Sequence, residues 1–183
     1  MLLGSLRYIG RGWTFDDIEE CTAIHEETHR QFFHVFLHWG STTLFAAHVR
    51  TPSTKEDALR NMQEMAQAGF HGCLGSSDAT HVGMEKCTTW LAQAHMGPKL
   101  NMPSRTYNMT VNHRRRILST TFGHPARWNY KTIQLFDEWL KGLYDGAILG
   151  DFQFVLLEKT ENGEEFAARY QGHWVIVDNR YLR

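Results

Sequence analysis

The chain has 183 residues, of which 42% are hydrophobic and 21% charged, and its formal net charge is −1. This length suits one domain, or a small helical module followed by a domain, and the composition excludes a disordered chain. The near-neutral charge argues against a surface dominated by phosphate contacts. Three cysteines without a CxxC spacing exclude a disulfide framework, and no apolar run approaches membrane-spanning length, so we expect a soluble intracellular protein.

Two helices are predicted before residue 40. Thr14 is a cap with acidic residues in the following turn, residues 21–24 form a break, and a second helix covers about 25–39. Its aromatic side chains Phe32, Phe36 and Trp39 share one face, which we expect to be buried. This outline is that of a helix-turn-helix, with a plain helical hairpin as the alternative.

A further capped helix is predicted over about 54–68, with Ala58, Met62, Met65 and Ala66 on its apolar side. We therefore assign residues 1–67 to an N-terminal helical, helix-turn-helix-like region and residues 68–183 to a second domain.

The second domain mixes predicted strands and helices. A strand surrounds Asp78, residues 84–104 form a loop, a helix covers 132–144, and a short buried strand covers 174–177 and ends at Asp178. Two hairpins are predicted, one across 112–116 and one across the turn pair Asn162-Gly163.

Asp78 lies in the middle of its strand among small and apolar residues. A buried carboxylate is costly unless a positive group offsets the desolvation, and a divalent cation with oxygen ligands can do so. Asp78 is therefore a candidate metal ligand. The alternative is a carboxylate that hydrogen-bonds a neighbouring Thr or His.

Several segments of the chain are similar to one family. They are LRYIGRGWTFDDIEECTAIHEETHRQFFHVF at 6–36, AGFHGCLGSSDATHV at 68–82, YNMTVNHRRRILSTTFGHPARWNYKTIQLFD at 107–137 and GHWVIVDNRYL at 172–182. Together they resemble the PIF/Harbinger superfamily of DDE transposases, from which Harbinger transposase-derived nucleases also descend. The resemblance covers nearly the whole chain, and the segments occur in the order expected for the family.

The resemblance implies an α/β fold with a ribonuclease-H-like mixed sheet and flanking helices. It implies catalytic and metal-binding roles for Asp78 on the first strand and Asp178 at the end of a later, adjacent strand. Two divalent cations, Mg²⁺ or Mn²⁺, would lie between such carboxylates and act on DNA phosphodiesters. The implied partners are DNA and a separate DNA-binding protein, and the implied location is the nucleus.

The chain departs from the family pattern at two places. Asn129-Tyr130 stands where an acid is common, and Arg180 stands where the later motif commonly has Gly. The third family acid, a Glu on a helix downstream of Asp178, would follow Arg183, so we expect a C-terminally truncated copy. We therefore expect a weakly active or inactive DNA endonuclease or transposase. The alternatives are a non-catalytic DNA- or protein-binding remnant and a metal-dependent hydrolase without a DNA role.

Two other groups of residues are weighed as candidate sites. Arg114, Arg115 and Arg116 form the only run of basic residues, which could contact DNA phosphate beside the active site or be solvated on a hairpin tip. The acidic and histidine residues elsewhere favour ordinary surface and amphipathic-helix roles; they are Asp151, Glu158, Glu164, Glu165, His25, His29, His34 and His38.

Overall fold

The computed structural model describes residues 1–147 and 149–178. The chain forms two compact units, Met1–Val49 and Arg50–Arg183. The expected domain boundary after residue 67 therefore moves to residue 49. The reason is that the helix Lys55–Gln67 packs against the sheet of the second unit. Across the described residues, none of the helices combines the length and apolarity needed to span a bilayer.

The first unit is helical. Its elements are α1 (Leu2–Arg11), α2 (Phe15–Thr22), α3 (Glu26–Trp39), a π-helical turn (Gly40–Leu44) and α4 (Phe45–His48). The predicted cap is confirmed, since the Thr14 side chain accepts from Asp17 N and the Asp17 side chain accepts from Thr14 N in a capping box. Helix α1 was not predicted from the sequence.

The buried face of α3 differs from the predicted one. His29 and Phe33 are buried with Ile18 of α2, whereas Phe32 and Phe36 are only half-buried and Trp39 is 47% exposed. Adjacent helical positions point about 100° apart, so a core centred on Phe33 turns Phe32 toward the edge. Nε2 of His29 and the Thr22 hydroxyl share a hydrogen bond of 2.9 Å, which connects α3 to α2.

The second unit mixes helices and strands. Its helices are α5 (Lys55–Gln67), α6 (Thr89–His95), α7 (Tyr130–Gln134) and α8 (Glu138–Tyr144), and its strands are β1 (Cys73–Gly83), β2 (Ser104–Val111), β3 (Ile117–Thr120), β4 (His124–Pro125), β5 (Gln153–Lys159), β6 (Glu165–Gln171) and β7 (Trp174–Ile176). The predicted α5 and both hairpins are confirmed. Helix α6 lies where a continuous loop was expected.

The main sheet has the order β3-β2-β1-β7, with β4 also paired to β2. β1 runs antiparallel to β2 and parallel to β7, so the sheet is mixed. The chain is therefore a mixed α/β protein. Gly75 is required in β1, because a Cβ there would lie 2.6 Å from the backbone oxygen of Val111 on β2.

The hydrophobic core of this unit lies where α5 and α8 meet the beginning of β1. Its fully enclosed members include Ala58 and Met62 of α5, Leu74 of β1, and Trp139 and Leu143 of α8. Of the predicted α5 stripe, burial of Ala58, Met62 and Met65 is confirmed, whereas Ala66 is half-buried. This burial explains why α5 belongs with the sheet rather than with the first unit.

A polar layer covers one face of the sheet. The side chains of β2 that point to this face are buried and polar: Ser104, Thr106, Asn108 and Thr110. Asp137, 2% exposed, accepts hydrogen bonds from the Asn108 amide (3.1 Å), the Ser119 hydroxyl (3.1 Å) and the backbone N–H of Leu140 (3.1 Å). The predicted helix over 132–144 is therefore wrong in detail, because Asp137 turns inward and begins α8 as its cap.

Strands β5 and β6 form a separate two-stranded antiparallel sheet. The register pairs Gln153 with Gln171 and Lys159 with Glu165, and the turn contains Gly163 at φ 83°. β5 alternates exposed and half-buried residues, and β6 is exposed at every position except Ala168.

Candidate metal and nucleic-acid site

Asp78 lies on the open face of β1. Successive side chains of a strand point to opposite faces, and here Ser77 and Ala79 are buried whereas Asp78 and Thr80 are exposed. One oxygen of the Asp78 carboxylate accepts a hydrogen bond from the N–H of Ala79 at 2.7 Å. The expectation of a buried carboxylate is therefore wrong, and desolvation cannot be the reason for a cation at this position.

Asp178 follows the strand that neighbours Asp78. The parallel register of β1 and β7 pairs Ser76 with Ile176, and each aspartate comes two residues after its member of that pair. Neighbouring strands lie about 4.8 Å apart, and Asp178 comes two residues after the last residue of β7. The predicted adjacency of the two strands is confirmed. Asp178 itself is exposed.

The opposite face of β1 carries a hydrogen-bonded group that connects the strand to α7. The His81 ring is 3.1 Å from the Tyr130 hydroxyl at Nε2 and 3.0 Å from the Thr106 hydroxyl at Nδ1. The ammonium group of Lys99 lies 4.8 Å from the centre of the Tyr130 ring. Burial, reinforced by the charge of Lys99, lowers the pKa of His81, and the charge of Asp78 opposes this shift.

This group gives Tyr130 a structural role that the sequence alone did not indicate. His81 is three residues from Asp78, and an odd separation in a strand places the two side chains on opposite faces. The Tyr130 hydroxyl therefore contacts His81 on the face of β1 opposite to Asp78. It does not replace a carboxylate beside Asp78 on the open face.

The basic run lies on the hairpin tip between β2 and β3. Arg114, Arg115 and Arg116 are exposed in the turn after β2, and Arg114 pairs with Glu64 of α5 at 3.0 Å. Met109 is the β2 residue opposite Asp78, and the turn begins three residues later, about 10 Å further toward the beginning of β1. The structure does not bring these arginines together with Asp78.

A different arginine shares the open face with Asp78. Arg105 and Tyr107 alternate with the buried residues of β2 and lie opposite Val82 and Thr80 in the register. Arg105 is exposed. The alternating pattern of residues 104–111 is the sequence signal that could have identified it.

The candidate metal ligands at this place are the carboxylates of Asp78 and Asp178. Within residues 1–147 and 149–178, no group of three or more His, Cys, Asp or Glu side chains is placed to hold a metal ion. Asp151 pairs with Lys55, Glu158 bonds the Tyr170 hydroxyl, and Glu165 pairs with Lys159. Two exposed carboxylates fit a hydrated Mg²⁺ ion, which prefers oxygen ligands and retains water. Arg180 lies outside the described residues.

No family model, curated protein or solved structure matches the chain in any of these comparisons.

Proposed function

We propose that the chain is a DDE-type, metal-dependent DNA endonuclease or transposase of the PIF/Harbinger type, with a ribonuclease-H-like domain. The observation that supports this proposal most strongly is the parallel pairing of β1 with β7, which brings the strand of Asp78 beside the segment that carries Asp178. The resemblance requires one acid on the first strand and another at the end of an adjacent later strand.

Asp78 and Asp178 act as the metal ligands of this site. When bound, Mg²⁺ or Mn²⁺ supplies charge stabilisation for phosphodiester cleavage and lowers the pKa of a bound water. The chain's own contribution is to hold Asp78 on β1 beside the segment that carries Asp178, and Ala79 N–H donates a hydrogen bond to one oxygen of the Asp78 carboxylate. With Asp78 and Asp178 as its two protein ligands, the metal binds weakly and turnover is slow.

DNA is the proposed partner, and a nuclear location follows from the same proposal. Arg105 is better placed than Arg114, Arg115 and Arg116 to contact a phosphate near the metal site, because Arg105 shares the open face of the sheet with Asp78. Affinity for DNA has two further sources in this proposal. They are the helix-turn-helix-like pair α2 and α3 and a separate DNA-binding protein.

Nicking of supercoiled plasmid DNA tests the proposal. We expect slow nicking that requires Mg²⁺ or Mn²⁺ and is lost in Asp78→Asn but retained in Asp16→Asn, an exposed aspartate of the first unit. Arg105→Ala should weaken DNA binding more than Arg116→Ala. Nicking that persists in Asp78→Asn would refute the assignment of the site.

A non-catalytic DNA-binding remnant is the second candidate. It is favoured by the finding that, within residues 1–147 and 149–178, no group of three or more His, Cys, Asp or Glu side chains is placed to hold a metal ion. DNA binding by the wild-type chain at millimolar Mg²⁺ or Mn²⁺, without nicking, would support this candidate over the enzyme.

A further inference from the structure

The outer edge of β6 is an unpaired strand edge within the described part of the chain. β6 pairs with β5 on one side only. An exposed strand edge presents N–H and C=O groups that can pair with another strand, and a two-stranded sheet alone is marginally stable. The edge of β6 is therefore a candidate interaction surface.

The hydrogen bonds of the hairpin show which backbone groups point outward. Thr160 N donates to Glu164 O at one end, and Gly172 N donates to Phe152 O at the other. Directly opposed residues in an antiparallel pair alternate between hydrogen-bonded and non-hydrogen-bonded. The even-numbered residues of β6 form the hydrogen-bonded pairs with β5, and the odd-numbered residues form the non-hydrogen-bonded pairs. The backbone N–H and C=O groups of Glu165, Ala167 and Arg169 therefore point away from β5, toward the free edge.

The side chains on this edge are self-complementary. Glu165 and Arg169 carry opposite charges and lie symmetrically on either side of Ala167, and all three side chains point to the same face. If a second β6 approaches antiparallel with Ala167 on the twofold axis, each Glu165 lies opposite Arg169 of the other copy. In this register each odd-numbered residue of one β6 pairs with an odd-numbered residue of the other, so their outward-pointing N–H and C=O groups can hydrogen-bond.

We propose that two copies of the chain associate through antiparallel pairing of β6 with β6, with Ala167 on the twofold axis. The result is a four-stranded sheet with the order β5-β6-β6-β5. A twofold axis perpendicular to the sheet gives an isologous interface, in which the same surface of each copy is used.

The exposed apolar residues of the hairpin gain neighbours in this arrangement. Leu157, 76% exposed, lies opposite Ala167 in the hairpin register. Pairing at Ala167 extends this row across both copies as Leu157, Ala167, Ala167 and Leu157. The rows beside it place Glu165 between its own Lys159, at 3.3 Å, and Arg169 of the other copy.

The outer edge of β5 does not share this symmetry. Its outward-directed residues are Gln153, Val155, Leu157 and Lys159, so it has one basic residue and no acidic residue at an outward position. A charged residue without a complement protects a strand edge from pairing, whereas the Glu165 and Arg169 pair of β6 permits one register with itself.

The mass of the full chain in solution, measured by light scattering after size exclusion, tests the association. We expect twice the chain mass of 21.2 kDa for the wild type. Glu165→Arg and Arg169→Glu should each give monomers, because each variant places like charges opposite one another at both symmetric pairs. An equimolar mixture of the two variants should regain the dimer mass. Glu161→Arg, in the exposed turn outside β6, is the matched control and should remain dimeric.

Disulfide trapping tests the register. Ala167→Cys should cross-link under mild oxidation, since directly opposed Cα atoms lie about 5.5 Å apart, within the range of a disulfide. Ala168→Cys and the wild-type chain should not cross-link. A monomeric wild type, a dimer that survives both charge reversals, or a variant mixture that stays monomeric would overturn the proposal. Cross-linking at residue 168 instead of 167 would overturn the register.

Discussion

Replacement of Asp137 by Ala tests the polar layer that connects α8 to the sheet. The Asp137 carboxylate caps α8 at Leu140 N and accepts one hydrogen bond each from Asn108 and Ser119. Loss of a helix cap costs about 1 kcal/mol, and loss of each bond to a buried carboxylate costs about 1.5 kcal/mol. The total loss is about 4 kcal/mol. The free energy of unfolding of a typical domain is about 5–15 kcal/mol, so this loss is a large part of it.

Urea unfolding at 25 °C measures this loss, with Asn129→Ala as the matched control. Asn129 caps α7 through Thr132 N in the same way and also accepts a hydrogen bond from the Thr132 hydroxyl, but Asn129 is exposed whereas Asp137 is buried. We expect about 1 kcal/mol for the control and about 3 kcal/mol more for Asp137→Ala. Equal losses in the two variants would show that the buried bonds to Asn108 and Ser119 contribute nothing.

Two further predictions concern the sheet and its pH response. Gly75→Ala should lower the free energy of unfolding by about 1–3 kcal/mol, because the new Cβ would meet the Val111 oxygen; an unchanged urea midpoint would contradict the close approach of β1 and β2. Burial lowers the pKa of His81 and of His29, so the unfolded chain takes up protons first, and stability present above pH ~6.5 should fall as the pH decreases below it. The melting temperature between pH 7.5 and pH 5.5 checks this, and His81→Gln should flatten part of the decrease.

Short-range patterns explain the elements that the sequence predicted well. The cap at Thr54 begins α5 and the Asn162-Gly163 pair turns the second hairpin, because each depends on residues within a few positions along the chain. The strand adjacency of Asp78 and Asp178 was expected from the family resemblance, which carries information about distant pairing that local patterns lack.

The wrong predictions for the buried face of α3 and for the helix over 132–144 have one physical cause. Which side chains of a helix turn inward depends on the helices and strands that pack against it. Phe32 and Phe33 are both aromatic, so the sequence could not indicate which of them the α2 surface would cover. Asp137 lies inside a helical apolar pattern, and only the nearby Asn108 and Ser119 make an inward turn at that position favourable. These two contacts span 29 and 18 residues of the chain and leave no periodic signal.

The exposure of Asp78 changes the physical argument for a cation. A buried carboxylate would need a counterion to fold, and the metal would then belong to the stability of the domain. Asp78 and Asp178 are exposed, so water can solvate both charges and β1 can pair with β7 without a metal. The proposed metal binding at this place is therefore separable from folding, and a change at Asp78 can remove the proposed activity while the sheet that carries Asp78 remains intact.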